Sequence, residues 1–185
     1  MVGPPKTTFA DLAAVLGIPE KRKIFISYHH HGDQAYKNYL SNVYCEQYEL
    51  LEDNSLDRMI DTDNLEYVER EIREDYIRGA SVTIVLCGAQ TYLRKFVDWE
   101  IYATLRKQAG LVAVQLPTLA PTSLLSSNVN VPARLSDNIK SGYAVWRSWN
   151  DLVATPGSLR LWIEEALAKD KSLIDNSRLK MQRNA

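Results

Sequence analysis

Cysteine is scarce in this chain: Cys45 and Cys87 are the only two, and they lack a CxxC spacing. Two cysteines are too few for a disulfide scaffold, which points to a reducing compartment. Cys87 follows an apolar run and is expected to be a buried small hydrophobe. An excess of one charge is also missing, with 22 Lys and Arg against 23 Asp and Glu. Without a basic field to engage a phosphate backbone, nucleic acid is not an expected partner. No apolar run approaches the roughly 18–20 residues that cross a bilayer. Asp11 interrupts the one N-terminal stretch resembling a signal peptide, so neither membrane insertion nor export is expected and the cytoplasm is the expected location. Histidine is confined to His29, His30 and His31. Adjacent loop residues do not converge on one ion without ligands elsewhere, so no metal site is expected. The acidic group Asp53, Asn54, Asp57, Asp61 and Asp63 lacks the glycine and terminal glutamate of a calcium loop and reads as solvated.

What the chain does have is alternation of apolar strands and amphipathic helices. The 185 residues, 45% of them apolar, fit one domain with a substantial core. Residues 7–17 predict a short helix, with Thr8 as N-cap, Phe9, Leu12 and Leu16 on one face, and Gly17 as stop. Residues 23–28 predict a buried strand emptying into a polar loop. From Asp33, which is placed to cap the next helix, Tyr36, Tyr39, Leu40, Val43 and Tyr44 recur at helical spacing. A short strand is expected at 48–51, then a charged helix through Leu65, Val68, Ile72, Tyr76 and Ile77 that stops at Gly79. Residues 81–87 give the clearest strand. A third helix through Val97, Ile101 and Leu105 is expected to close at Gly110, before a buried strand at 111–116. Residues 117–136 are rich in Pro, Ser and Asn and predict a long loop. A last strand is expected at 143–149 and a terminal helix from Pro156 through Leu167. The division expected is an N-terminal extension at 1–20, a domain at 21–170 and a flexible polar tail at 171–185. Strands alternating with helices imply an α/β fold with a parallel sheet covered on both faces. Ligands of such folds bind beyond the carboxyl ends of the strands.

Two segments then carry a family resemblance. Ile24-Phe25-Ile26-Ser27-Tyr28 resembles the first strand of a TIR domain, and residues 81–101, SVTIVLCGAQTYLRKFVDWEI, resemble the strand, loop and helix bearing the glutamate of NAD-consuming TIR proteins. Phe96, Val97, Trp99, Glu100 and Ile101 fill the pattern aromatic-Val-x-aromatic-Glu-Ile/Leu, and Gly88, Gln90 and Thr91 fill the turn before it. Within that family the chain resembles the TIR-like proteins of bacterial antiphage systems, in particular the Thoeris ThsB group. It covers residues 21–110 and departs at Phe96, where members often carry Trp.

The resemblance implies a flavodoxin-like TIR fold, three layers with a central, mainly parallel sheet of about five strands. It implies that Glu100 is the catalytic residue for cleaving the nicotinamide–ribose bond of NAD, with NAD as substrate and no cofactor. Tyr28, His29, His30, Phe96 and Trp99 are the implied substrate contacts. Phe96 and Glu100 lie on adjacent turns of one helical face. From the residues alone, Glu100 reads rather as a solvated helix position or a partner of Arg94, Lys95 or Arg106, and Trp99 rather as a packing residue. The product implied is a cyclic or modified ADP-ribose signal, made after a phage-derived trigger and read by a partner effector. The alternative is a non-catalytic TIR module that acts by TIR–TIR self-assembly. A flavin-binding or response domain is disfavoured because no glycine-rich phosphate loop and no acidic phosphoacceptor follow the first strand.

Overall fold

The computed structural model describes residues 21–52, 77–123, 126–155 and 157–184. The expected helices at 7–17 and 65–77 and the acidic group at 53–63 lie wholly or mostly outside these residues. The chain builds β1 (Arg22–Ser27), α1 (His30–Tyr44), β2 (Tyr48–Glu52), β3 (Val82–Cys87), α2 (Lys95–Arg106) and β4 (Gly110–Gln115). It continues through β5 (Pro121–Ser123), β6 (Ser126–Val129), α3 (Ala133–Lys140), β7 (Val145–Ser148), α4 (Trp149–Ala154) and α5 (Ser158–Ala168). The main sheet has five strands in the order β2-β1-β3-β4-β7, all neighbours parallel. This is the flavodoxin-like order expected of the fold.

The apolar runs in β1, β3 and β4 are continuous because both faces of the sheet are covered. On one face Ile24, Ile26, Ile84, Leu86, Val112 and Val114 pack with Leu40 and Tyr44 of α1 and Leu159, Trp162 and Ile163 of α5. On the other, Val85, Cys87, Leu111 and Ala113 meet Val97, Ile101 and Leu105 of α2 and Leu135 of α3. Phe25 sits on that second face with Trp99 and Ala103, and Phe96 packs beside them.

Four expectations are corrected. The 117–136 segment is not one loop: it holds the antiparallel β5–β6 hairpin and the start of α3. Gly110 does not close α2 but opens β4. The helix ends instead through Gln108, whose φ of 57° turns the chain. Asp33 is not the cap of α1, which starts three residues earlier at His30 with no side-chain cap. Nor do residues 171–184 hang free. They run along α2 and α3, where the Arg134 guanidinium, 0% exposed, gathers them. Its Nε and Nη2 donate to Asp98 Oδ1 and Oδ2 at 3.0 and 3.3 Å. Its Nη1 donates to Asn176 Oδ1 and Arg178 O, and Nη2 also donates to Leu179 O. A buried cation needs acceptors for every N–H, and the backbone carbonyls of a polar tail supply them.

Gly110 is packed closely, since a Cβ there would lie 3.1 Å from Val82 Cγ2 and 3.3 Å from the Ala166 backbone. Gly110→Ala is expected to destabilise by about 1–3 kcal/mol, from overpacking between β3 and α5. Urea denaturation measures it, and an unchanged midpoint would contradict the packing described.

Candidate active site

β1 leads into α1 on one face of the sheet, and its neighbour β3 leads into α2 on the other. Chain departing to opposite sides of adjacent parallel strands leaves a crevice at their carboxyl ends. A cleft of about 260 Å³ lies there, lined by His29, His31, Gly32, Asp33, Ala89, Gln90 and Thr118. Its floor is Asp33, whose Oδ2 accepts from Thr91 Oγ1 at 3.2 Å, while Thr91 Oγ1 accepts the Gly88 N–H at 2.9 Å. Burial holds the Asp33 carboxyl above the usual carboxylate range, against hydrogen bonds from Thr91, the His29 backbone and Thr118. Burial also pushes the Cys87 thiol up, with Asp33 adding to the effect, so Cys87 stays protonated and is no nucleophile.

The three histidines diverge. His29 is buried, with Nε2 3.3 Å from Arg94 Nη2, and Arg94 Nη2 also donates to Gln90 Oε1 at 2.7 Å. His31 stacks against His29 with ring centroids 5.9 Å apart. His30 instead lies with Tyr28, whose hydroxyl is 3.0 Å from His30 Nδ1 and donates to Gln34 Oε1 of α1 at 3.0 Å. Tyr28 thus belongs to the α1 face, while His29 ties the end of β1 to the start of α2.

Phe96, Trp99 and Glu100 are brought together on α2. Val97, Ile101 and Leu105 form one stripe toward β3 and β4, and Phe96, Trp99 and Ala103 form another toward Phe25 of β1. The Phe96 and Trp99 rings meet edge to face, 5.7 Å apart. Glu100 lies between the stripes and is only 5% exposed. One turn further on, Thr104 Oγ1 meets Thr83 Oγ1 of β3 at 2.7 Å, which fixes the height of the helix on the sheet. Because α2 starts at the carboxyl end of β3 and runs back, Glu100 lies nearer that end than Thr104. Arg94, Lys95 and Arg106 were its possible partners as a solvated residue. Arg94 is engaged with His29 and Gln90, Lys95 lies over the Phe96 and Trp99 rings and Arg106 is exposed, while Glu100 keeps an interaction of its own within the protein.

Sequence reasoning missed Ser27. It shares the face of Phe25 by strand alternation, is 1% exposed, and its hydroxyl has no hydrogen-bond partner among the described residues. An unsatisfied buried hydroxyl costs about 1–3 kcal/mol and marks a place where a ligand or water would be held. The two-residue step from the buried Phe25 was the available signal. Asp33, Thr91 and Arg94 were likewise visible only as types, since their partners lie about 60 residues away.

A Cβ on Gly88 would collide with the Asp33 carboxylate. Gly88→Ala is therefore expected to cost less in an Asp33→Ala background than in the wild type, with a coupling of about 0.5–3 kcal/mol. Strictly additive penalties in a denaturation cycle would show that the two residues do not meet.

Among the described residues no helix is long and apolar enough to cross a membrane. Residues 25–121 match the family model described as Thoeris protein ThsB, TIR-like domain. No curated protein matches the chain. The matched span runs from β1 to the start of β5 and contains the cleft and Glu100 but not α3 or the C-terminal segment.

Proposed function

The chain belongs to the Thoeris ThsB family of TIR-like domains, and from that premise we propose that it is an antiphage-defence enzyme cleaving the nicotinamide–ribose bond of NAD. The observation that carries the proposal is the burial of Glu100, 5% exposed, on α2 next to the stripe formed by Phe96 and Trp99. A glutamate serving only as helix surface charge would face water.

In this reading the C–N bond between ribose C1′ and nicotinamide breaks with both electrons going to nicotinamide. Nicotinamide leaves as a neutral pyridine, so no acid is needed to protonate it. The positive charge developing at C1′ and the ring oxygen is stabilised by the Glu100 carboxylate, as a carboxylate stabilises the oxocarbenium-like transition state of glycoside cleavage. Phe96 and Trp99 flank the nicotinamide end, and the Ser27 hydroxyl, lacking a protein partner among the described residues, accepts or donates to a ribose hydroxyl. His29, set by Arg94, lies toward the phosphates. Tyr28 and His30 act through the conformation of the loop after β1.

Water attacking C1′ gives ADP-ribose and releases a proton. A nucleophile from within the substrate gives a cyclic product and also releases a proton. Cyclisation requires water to be kept out while the adenine end folds back, a role for the aromatic wall. The cyclic or modified ADP-ribose is the signal that activates a partner effector after a phage-derived trigger, in the cytoplasm.

The purified protein incubated with NAD and lysate from phage-infected cells is expected to release nicotinamide, and Glu100→Gln to reduce the rate by about a hundredfold or more, as for loss of a transition-state charge contact. Chromatography and mass spectrometry measure the nicotinamide and identify the adenine-containing product. Equal protection against phage by wild type and Glu100→Gln, with no turnover by either, would leave an assembly module as the account.

A further inference from the structure

The segment 176–184 touches α2 at four places that bracket Glu100. The Lys95 N–H, at the start of a helix with no side-chain cap of its own, donates to Asn184 Oδ1 at 2.9 Å. Asp98 Oδ2 accepts the Met181 N–H at 2.9 Å, and the Trp99 indole N–H donates to Met181 O at 2.7 Å. Asn176 Nδ2 donates to Tyr102 O at 3.2 Å. Arg134 fastens the segment from the other side, giving three of its N–H bonds to it and two to Asp98.

From this geometry we infer that residues 176–184 form a positioning strap for the active site, resting on the reading of Glu100 as the catalytic residue. The strap acts on α2 and not on substrate. It caps the first turn, holds Asp98 and fixes the Trp99 ring through its indole N–H, so that the aromatic wall and the carboxylate one residue later are set before substrate arrives. Helix ends without caps fray, and the first turn of α2 is the part of the helix nearest the crevice. Preorganisation of that turn is the contribution of the strap to the rate. Arg134 and Asp98 are likewise positioning residues. The strap lies outside residues 25–121, the span that matches the family model.

The test removes residues 176–185 from the otherwise intact protein, so that water replaces the lost acceptors of Arg134, and compares it with Asn176→Ala and Arg134→Lys. All are assayed for nicotinamide release with the same activating lysate, at a temperature where circular dichroism shows each variant folded. Truncation is expected to lower kcat by about ten- to a hundredfold with KM little changed, because a displaced catalytic group costs turnover more than binding. Asn176→Ala should lower it less, and Arg134→Lys, which keeps the charge but cannot span the acceptors, should fall between. Hydrogen exchange should quicken at residues 95–100 while β3 and β4 stay protected. Wild-type kcat in the truncated chain would overturn the strap, as would a loss of kcat accompanied by equal loss of protection in β3 and β4. Absence of turnover by the wild type would instead sink the NAD reading. The exchange experiment then decides the strap alone: unchanged protection at 95–100 overturns it and faster exchange there sustains it.

Discussion

The half of the molecule that carries Glu100 depends on one guanidinium. Arg134 is fully buried, and each of its five N–H groups meets an acceptor: two on Asp98, one on Asn176 and two backbone carbonyls of Arg178 and Leu179. A buried pair of this kind adds little net stability, yet losing one partner costs about 3–5 kcal/mol because the other is left uncompensated. The constraint is therefore one of specificity. α2, α3 and the C-terminal segment must adopt one mutual arrangement, since any other strands a charge. The Tyr102 ring, with Arg134 5.1 Å and Lys180 4.8 Å from its centre, closes the same junction.

The parallel sheet supplies the other half of the site. Its strand order sends α1 and α2 to opposite faces and opens the crevice between β1 and β3. Of the three buried carboxylates among the described residues, Asp98 is held by Arg134, and Asp33 and Glu100 stand in different surroundings. Asp33 is tied to Thr91 and to the turn at Gly88, and its raised pKa reflects burial under the cleft floor, which suits a structural role. Glu100 is buried on α2, between the stripe that meets β3 and β4 and the stripe of Phe96, Trp99 and Ala103 that meets Phe25 of β1. In the proposed reaction only one stabilising carboxylate is needed, because nicotinamide leaves as a neutral pyridine and no paired acid has to protonate it.

The sheet was legible in the sequence because strands covered on both faces are mostly apolar, as 82–87 is apart from Thr83 and 111–116 apart from Gln115. The period of α2 was legible for the same reason: Val97, Ile101 and Leu105 repeat on the face that meets β3 and β4. α3 was hidden because its sequence, ARLSDNIK, is mostly polar and its most buried long side chain is an arginine. The tail was hidden by the same inversion. Its polar composition signals solvation, whereas its backbone carbonyls serve as ligands for a charge 44 and 45 residues earlier. Asp33 suggested a cap because it precedes the apolar period, but α1 starts at His30 without a capping side chain. Glu100 itself could not be separated from a solvated helical glutamate by spacing. The family pattern singled it out, and the structure adds that it is buried.

The central claim is that the nicotinamide–ribose end of NAD sits against α2 with its anomeric carbon beside residue 100. The most direct test is a structure of the Glu100→Gln protein, assembled in its active form, with intact NAD bound. The account predicts nicotinamide against Phe96 and Trp99, C1′ within contact of the residue 100 side chain, and a ribose hydroxyl on Ser27. NAD bound with C1′ remote from α2, or no NAD bound while the fold is intact, would contradict it.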